Sequence, residues 1–282
     1  MKTAIVTGAN GSMGEQITTA LAMAGFQVVM ACKQPQEAIV LCGKIREKTR
    51  NPHVEGMYLD LSSFASIKKF AAEFASKYQR LDVLGNNAGV LCHCPAETAE
   101  KAEETIGVNF LGHYLLTELL FPCMQNGTRI VNMASLTYKY GKIEDDFFSL
   151  KKRPFNRFTF YSDSKLALVH ATLEWAEKWK DKGITANCAD PGIVSTNIIR
   201  MGNPLLDLAT DIFYRPFIRK PAKGADTFIY LALNEEVKDV TGKLFKNRTP
   251  QILHPKVTDK FSRLDLLAQT EQFLNEHDVK LF

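Results

Sequence analysis

The sequence predicts an α/β fold, in which a central parallel sheet of about seven strands carries helices on both faces. Short apolar runs rich in β-branched residues alternate with helical runs along the chain, as strands joined by crossover helices require. No low-complexity linker or repeat divides the 282 residues, so we expect one domain, residues 1–282. The predicted strands are KTAIVT, FQVVMA, VEGMYL, LDVLGN, TRIVNMA, ITANCA and KLF.

Composition argues against several classes of partner. The net charge of +4 is small and dispersed, and the basic cluster Lys151 to Arg153 is interpreted as a solvated loop, so we expect no nucleic-acid partner. The chain has no run of about 18 uninterrupted apolar residues, and its first strand starts too early to leave room for a signal sequence. We therefore expect a soluble, cytoplasmic protein without a membrane span.

The cysteines indicate neither disulfides nor a metal. Six cysteines lack the tight spacing of a disulfide framework, which favours reduced thiols. The triplet Cys92-His93-Cys94 contains metal-binding residue types. Three adjacent groups cannot easily supply tetrahedral ligation, and no second CxxC or HxxxH completes a site, so we expect no metal.

A glycine motif follows the first strand and precedes the helical run EQITTALAMAGF. Gly8 allows a tight turn out of the strand. Gly11 lets the backbone approach a pyrophosphate, and Gly14 lets helix and sheet pack closely. The charge of a pyrophosphate favours the amide-rich N-terminus of the helix. Between two strands, this motif predicts a doubly wound, Rossmann-type dinucleotide site.

The end of the second strand indicates which nucleotide binds. NAD sites usually place a carboxylate there for the ribose hydroxyls, whereas a basic residue accommodates a 2′-phosphate. This chain has Lys33 after the strand and no acidic residue before Glu37. The sequence therefore favours NADP(H) over NAD(H).

Tyr161 and Lys165 lie four residues apart in the amphipathic run FTFYSDSKLALVHATLEWAEKW. In a helix this spacing places the phenol and the ammonium on one face. A free tyrosine has a pKa of about 10, and a fixed positive charge favours the phenolate. The ammonium of Lys165 and an oxidised nicotinamide ring are thus expected to lower the pKa of Tyr161 and make it a general acid/base.

These motifs occur together in an order typical of one family. TGANGSMG is followed by DLSS, NNAG, VNFLGHY, VNMAS, YSDSK and the pair Pro191-Gly192. From about Lys2 to Phe245 the chain resembles the short-chain dehydrogenases/reductases. The resemblance implies a nucleotide-binding half, residues 1–135, and a half that carries the catalytic helix and a substrate lid, residues 136–282.

The resemblance also assigns catalytic roles. Tyr161 would be the general acid/base, with Lys165 as its pKa-lowering partner and a ribose ligand. Ser135 would hydrogen-bond the carbonyl oxygen of the substrate. Asn109 would hold a water molecule in a proton relay.

Further residues are implied to bind the cofactor. Asp60 and Leu61 would flank the adenine, residues 87–89 would line the ribose region, and Thr196 would contact the nicotinamide carboxamide. The complete set from motif and resemblance is Gly8, Asn10, Gly11, Ser12, Met13, Gly14, Lys33, Asp60, Leu61, Asn87, Ala88, Gly89, Tyr161, Lys165, Pro191, Gly192, Val194 and Thr196.

Within the family, the interval between Ser135 and Tyr161 is about twice the usual one and contains the insert GKIEDDFFSLKKRPFNRF. Together with ACK after the second strand, the insert resembles the retinol dehydrogenase-like branch. The implied function is NADP(H)-dependent hydride transfer to or from a hydrophobic carbonyl or alcohol, of retinoid, steroid or quinone type.

The segment after Pro191-Gly192 is apolar and follows the sixth strand, so it is positioned to cover the nicotinamide. A helix pair packed on the core or on a second subunit explains it nearly as well. The predicted lid residues are Leu205, Leu206, Ile212, Phe213, Tyr214 and Phe217. Helices at Ala99–Met124 and Phe158–Asp181 resemble those of family dimers, so a homodimer is possible, although the insert could hinder it. An amphipathic helix is predicted after Pro250.

Two alternatives remain open from the sequence. The glycine spacing TGxxGxxG is that of the extended sugar-nucleotide epimerase/dehydratase branch, which uses NAD, although NNAG and the chain length favour the compact branch. A catalytically silent dinucleotide sensor is the second alternative. The complete set of Asn, Ser, Tyr and Lys speaks against a sensor, which has no need of a proton relay.

Overall fold

One mixed sheet of eight strands organises the computed structural model, which describes residues 1–151, 153–192 and 220–281. The strands are β1 (Thr3–Thr7), β2 (Gln27–Cys32), β3 (Val54–Tyr58), β4 (Leu81–Asn86), β5 (Met124–Met133), β6 (Thr185–Asp190), β7 (Lys243–Lys246) and β8 (Thr249–Pro250). Their order is β3-β2-β1-β4-β5-β6-β7-β8, and all neighbours are parallel except β7 and β8. This is the doubly wound order with its switch between β1 and β4, which confirms the predicted fold class.

The seven parallel strands are those that the apolar runs predict. Every residue of β1, β4 and β6 is buried, as in a parallel sheet covered on both faces. The pattern does not predict β8, which has only two residues. It pairs with β7 through a tight turn at Asn247 and Arg248, whose φ angles of 52° and 63° are those of a hairpin turn.

Helices cover both faces of the sheet. They are α1 (Ser12–Met23), α2 (Pro35–Thr49), α3 (Phe64–Lys77), α4 (Glu104–Ile106), α5 (Gly112–Leu120), α6 (Arg157–Lys178), α7 (Pro221–Leu233), α8 (Pro255–Thr258) and α9 (Lys260–Glu276). One apolar core lies beneath α1, α2 and α7, and a second lies beneath α3, α5 and α6. No helix within the described ranges combines the length and apolar character that a membrane crossing requires.

The predicted helix from Ala99 to Met124 is wrong at both ends. Lys101 has a φ of 66°, which interrupts a right-handed helix. The helix begins only after Glu103, whose carboxylate accepts a hydrogen bond from the backbone N–H of Ile106 at 2.8 Å. At the other end, Met124 is the first residue of β5. The predicted helix therefore extends past the N-terminal cap at Glu103 at one end and into β5 at the other.

The long insert before α6 and the C-terminal helix α9 both lie against α6. Arg153 of the insert forms an ion pair with Asp163 of α6, with 2.6 Å between Nη1 and Oδ2. Arg263 of α9 donates two hydrogen bonds to the carboxylate of Glu177 on α6, at 3.1 and 2.9 Å. A homodimer built on α6 would therefore have to accommodate these two segments.

Candidate active site

The glycine motif forms the turn between β1 and α1. Gly8 has a φ of 60°, and its carbonyl oxygen accepts a hydrogen bond from the N–H of Gly11 at 3.0 Å. Gly11 caps the N-terminus of α1. A Cβ on Gly14 would lie 2.2 Å from the carbonyl oxygen of Gly8, so no side chain fits there. The first glycine thus supplies the backbone conformation, and the third allows close packing of helix on strand.

A cavity of about 380 Å³ lies at the carboxyl ends of β1 to β4. The predicted cofactor residues that line it are Gly8, Asn10, Gly11, Ser12, Met13, Gly14, Lys33, Asp60, Leu61, Asn87, Ala88 and Gly89. Lining residues that the sequence did not indicate are Thr7, Ala31, Gln34, Leu59, Ser62, Val90, Glu104 and Val108. The structure therefore brings together residues from four separate segments that the sequence assigned to one ligand.

An ion pair lies at one edge of this cavity. Nζ of Lys33 is 2.9 Å from Oδ2 of Asp60 and 3.5 Å from Oγ of Ser62. Burial acts to raise the pKa of Asp60, but hydrogen bonds from Ser62 and Lys33 outweigh it and lower that pKa. The hydrogen bond to Asp60 in turn raises the pKa of Lys33. Lys33 is thus a firmly protonated cation, and 62% of its side chain remains exposed.

The phenol of Tyr161 meets the hydroxyl of Ser135 near the start of α6. Asn156 caps this helix, because its Oδ1 accepts hydrogen bonds from the N–H groups of Phe158 and Thr159 at 3.0 and 3.2 Å. Ser135 follows β5 at the carboxyl edge of the sheet. The side chain of Ser135 interacts with the phenol of Tyr161 and acts to lower its pKa. The cap and the strand end together fix the two hydroxyl groups beside each other.

The pKa of Tyr161 is shifted upward. Burial raises it to about 12, the charge of Asp190 adds to the rise, and the hydrogen bond with Ser135 opposes it. This direction is the opposite of the one that the spacing of Tyr161 and Lys165 predicted. That prediction counted the charges of the ammonium and an oxidised nicotinamide but not the burial of the phenol. With the protein groups alone, Tyr161 is therefore a protonated phenol at neutral pH.

Lys165 is buried directly beside Tyr161. Its Nζ lies 5.5 Å from the centre of the Tyr161 ring and donates a hydrogen bond to the carbonyl oxygen of Met133 at 2.9 Å. Burial lowers the pKa of Lys165 to about 8. The two side chains share one face of α6, as the spacing of four residues predicted.

Asn109 lies in a π turn, Gly107–Leu111, between α4 and α5. Its side chain accepts a hydrogen bond from the N–H of Val90 at 2.8 Å and donates to the carbonyl oxygen of Val90 at 2.9 Å. It also donates to Oγ of Ser164 at 3.1 Å. Single π turns are common at functional sites, because they redirect backbone groups away from the regular ladder.

The nucleotide cavity and the catalytic residues adjoin at Gly89. A Cβ on Gly89 would lie 3.4 Å from Oδ1 of Asn109 and 3.6 Å from Nζ of Lys165. Pro191 and Gly192 follow β6, where the N–H of Gly192 is 3.4 Å from Oδ1 of Asp190. The remaining predicted residues lie outside the described residues; they are Val194, Thr196, Leu205, Leu206, Ile212, Phe213, Tyr214 and Phe217.

The sequence does not indicate two buried polar residues of the site, Thr7 and His113. Oγ1 of Thr7 accepts hydrogen bonds from the N–H groups of Asn87 and Ala88, both at 2.9 Å. The imidazole of His113 lies between Thr7 and Asn109, with ring nitrogens 3.0 Å from Oγ1 of Thr7 and 3.1 Å from the carbonyl oxygen of Asn109. The sequence did carry one signal, since His113 follows Asn109 by one helical turn.

A doubly wound nucleotide fold with serine, tyrosine and lysine at the carboxyl edge of its sheet defines a class of dehydrogenases. Comparison with known proteins agrees. A family model for short chain dehydrogenases matches residues 2–204. Human retinol dehydrogenase 13 is 35% identical over 280 residues, with 97% of this chain and 84% of the relative covered. Human retinol dehydrogenase 14 is 36% identical over 281 residues, with 92% of this chain and 82% of the relative covered.

Solved structures agree on the fold. A crystal structure of an uncharacterized protein from Mycobacterium paratuberculosis superposes with a TM-score of 0.78 at 27% identity, covering 98% of this chain and 94% of that one. A short chain dehydrogenase from Burkholderia cenocepacia, solved in complex with NADP, superposes with a TM-score of 0.69 at 20% identity, covering 87% and 95%. The second likeness concerns the fold alone.

The chain belongs to the short-chain dehydrogenase family and to its retinol dehydrogenase-like branch. It is accordingly an NAD(P)-dependent oxidoreductase. The resemblance seen in the motifs is thereby confirmed, and the silent-sensor alternative loses its support.

Proposed function

We propose that this protein transfers hydride between NADP(H) and a carbonyl or alcohol group of a hydrophobic small molecule. One observation carries the proposal: the hydroxyls of Ser135 and Tyr161 lie together beside the buried ammonium of Lys165. This group of side chains adjoins a glycine-lined cavity at the carboxyl edge of a doubly wound sheet. That edge is where such folds bind dinucleotides.

The residues of the cavity fit a dinucleotide. Gly14 admits no side chain, and Gly11 leaves the N-terminus of α1 accessible to a pyrophosphate. Asp60 and Leu61 would hold the adenine end, and residues 87–89 the ribose next to the catalytic residues. The nicotinamide, when bound, would supply or accept the hydride.

The residues of the chain would handle the oxygen and the proton. Ser135 would donate a hydrogen bond to the carbonyl oxygen while Tyr161 gives that oxygen its proton. The raised pKa of Tyr161, about 12, keeps the phenol protonated, which is the form that carbonyl reduction needs. In alcohol oxidation the phenol would have to be ionised, and the charge of Lys165 favours the phenolate.

Asn109 would complete the path by which the proton is replaced. Its side chain is fully engaged with Val90 and Ser164, so the backbone carbonyl oxygen is the group left to hold a water molecule. We keep this role as part of the proposal, together with the roles of Ser135, Tyr161 and Lys165.

The preference for NADP(H) rests on Lys33. Its ammonium lines the cavity and is largely exposed. The ion pair with Asp60 does not prevent contact with a 2′-phosphate, because the Lys33 side chain is 62% exposed and its ammonium has three donors. Lys33 can therefore exchange Asp60 for a doubly charged phosphate.

The substrate class rests on the relatives and on the apolar segment after β6. Two relatives named as retinol dehydrogenases are 35% and 36% identical to this chain and are covered over most of their length. Retinoids are therefore the first substrates to examine, followed by steroids and quinones.

The test is a nucleotide titration followed by a carbonyl panel. We expect NADPH to bind more tightly than NADH, and we expect NADPH oxidation with all-trans-retinal or another lipophilic carbonyl. Absence of turnover across retinoids, steroids and quinones, with the nucleotide bound, would contradict the substrate class.

The extended-branch alternative rests on the glycine spacing from Gly8 to Gly14. It predicts tightly retained NAD and activity on UDP- or GDP-sugars. An absorbance spectrum of the purified protein and a sugar-nucleotide assay would reveal both.

A further inference from the structure

His113 is fully buried on α5 and touches two parts of the site. Its Nδ1 lies 3.1 Å from the backbone carbonyl oxygen of Asn109, and its Nε2 lies 3.0 Å from Oγ1 of Thr7. Thr7 is the last residue of β1 and lines the nucleotide cavity. The ring therefore connects the nucleotide cavity to the π turn that presents Asn109.

The hydrogen-bonding capacities of the partners fix the tautomer of His113. A carbonyl oxygen only accepts hydrogen bonds, so Nδ1 must carry a proton and donate the hydrogen bond to the carbonyl oxygen of Asn109. Burial, assisted by the charge of Lys165, lowers the pKa of His113 to about 4, so the ring is neutral at physiological pH. Nε2 then carries no proton and accepts a hydrogen bond from the hydroxyl of Thr7.

The same assignment satisfies Thr7 completely. Its single proton points to Nε2 of His113 at 3.0 Å rather than to the carbonyl oxygen of Gly85 at 3.3 Å. Its oxygen accepts from the N–H groups of Asn87 and Ala88, both at 2.9 Å. Three hydrogen bonds thus hold the end of β1, the loop after β4 and the imidazole in one arrangement.

We propose that His113 is a positioning residue. It holds the carbonyl group of Asn109 and the loop at Asn87 and Ala88, on the ribose side of the nucleotide cavity, in fixed positions relative to each other. This inference rests on the proposed function. The ring touches neither substrate nor nucleotide and acts through Asn109 on the catalytic side and through Thr7 on the nucleotide side. A carbonyl oxygen has two acceptor positions, so a hydrogen bond from His113 is compatible with one from the water of the proton relay.

Two substitutions separate the two bonds. In His113→Asn the amide nitrogen replaces Nδ1, which keeps the donor to Asn109 and loses the contact with Thr7. In His113→Gln the amide oxygen replaces Nε2, which keeps the acceptor for Thr7 and loses the donor to Asn109. His170→Gln is the matched control, since His170 is also fully buried but lies away from the site on α6.

The experiment measures the Kd of NADPH by fluorescence titration and kcat with the best carbonyl of the panel. We expect His113→Asn to raise the Kd of NADPH about tenfold with the smaller effect on kcat. We expect His113→Gln to lower kcat about tenfold with the smaller effect on the Kd. His170→Gln should change neither. Equal effects of the two His113 variants on both quantities, or no effect, would overturn the proposal.

A spectroscopic readout does not depend on turnover. Long-range ¹H–¹⁵N spectra of the wild type should show a His113 ring protonated on Nδ1 only, without change between about pH 5.5 and 8. A ring protonated on Nε2, or one that titrates in this range, would refute the assignment. If both His113 variants fail to fold, Thr7→Val, which removes the hydroxyl, should raise the Kd of NADPH more than Thr7→Ser, which keeps it; equal effects would overturn the proposal.

These outcomes separate the inference from the proposed function. If the wild type binds NADPH and turns over a carbonyl substrate, but the two His113 variants change the Kd of NADPH and kcat alike, only the role of His113 is rejected. A wild type that binds neither NADPH nor NADH rejects both.

Discussion

The nucleotide cavity and the catalytic group of Ser135, Tyr161 and Lys165 adjoin at Gly89, yet they are built differently. The cavity consists mainly of backbone turns, glycines and one exposed ion pair, Lys33 with Asp60. The catalytic group consists of side chains whose burial moves their pKa values far from the ordinary ones. Exposed charges are screened by water, whereas buried charges depend on every neighbour. Substitutions should therefore have large effects on the catalytic side and graded effects on the nucleotide side.

The largest effect on stability is expected where the insert is attached to the catalytic helix. Asp163 is buried beside Arg153, whose guanidinium also lies 4.1 Å from the ring centre of Phe160. Removing one partner of a buried pair leaves an uncompensated charge, so Arg153→Gln should lower the free energy of unfolding by about 3–5 kcal/mol. Urea unfolding measures the change.

The double variant Arg153→Gln with Asp163→Asn is the control for this pair. It should lose less stability than the sum of the two single variants, because neither charge is left alone. A loss below about 1 kcal/mol in the single variant would show that this ion pair contributes no more to stability than an exposed ion pair does.

A smaller loss is expected from Gly14→Ala on the nucleotide side. The added Cβ would lie 2.2 Å from the carbonyl oxygen of Gly8, so the turn must move. We expect about 1–3 kcal/mol of destabilisation and weaker NADPH binding. Gly43→Ala is the matched control, because a Cβ on Gly43 in α2 meets nothing within 4 Å and should stabilise by about 0.5–1 kcal/mol. A Gly14→Ala protein with wild-type affinity and stability would contradict the close packing of this turn.

Lys165 predicts a pH dependence of stability with a definite sign. Burial lowers its pKa to about 8 from an ordinary value of 10.5. Between these values the unfolded chain binds more protons at this group than the folded chain, so its contribution to the free energy of unfolding rises with pH. The wild type should therefore gain stability relative to Lys165→Met as the pH increases from 8 to about 10.5. Urea unfolding of both proteins at several pH values tests this, and a constant difference would show that Lys165 is not desolvated.

The smallest effect is expected at the exposed ion pair. Lys33→Gln should weaken the binding of NADPH about tenfold and that of NADH about twofold or less, because only the 2′-phosphate of NADPH needs the cation. Fluorescence titration with both nucleotides gives the ratio. Equal losses for the two nucleotides would mean that another residue determines the preference for NADP(H), with Ser62 as the next candidate.

Sequence reasoning succeeded where the signal is local. Gly8, Gly11 and Gly14 can be interpreted from spacing alone, because each role involves the backbone within one turn of the chain. The seven parallel strands could also be predicted, because each is a short apolar run that is visible in the local sequence. The short β8 and the helix start after Glu103 escaped the pattern, since two residues carry no periodicity and a cap depends on one hydrogen bond.

Contacts between distant segments of the chain could not be predicted from the sequence. His113 and Thr7 are 106 positions apart, and only the fold shows that they share a hydrogen bond. The burial that raises the pKa of Tyr161 is likewise a property of the assembled site, which the spacing of Tyr161 and Lys165 does not show. The position of Lys33 after β2 indicates a nucleotide contact, but its ion pair with Asp60 joins two separate segments and is evident only from the fold.

The most direct test of the central role assigned to Tyr161 compares Tyr161→Phe with Tyr140→Phe, a control at a residue that is 78% exposed. Both proteins are titrated with NADPH and then assayed with the best carbonyl substrate. Tyr161→Phe should lose roughly 10³-fold in kcat while its NADPH affinity stays within about twofold, and Tyr140→Phe should match the wild type. A Tyr161→Phe protein that keeps a tenth or more of the wild-type turnover would show that another group donates the proton.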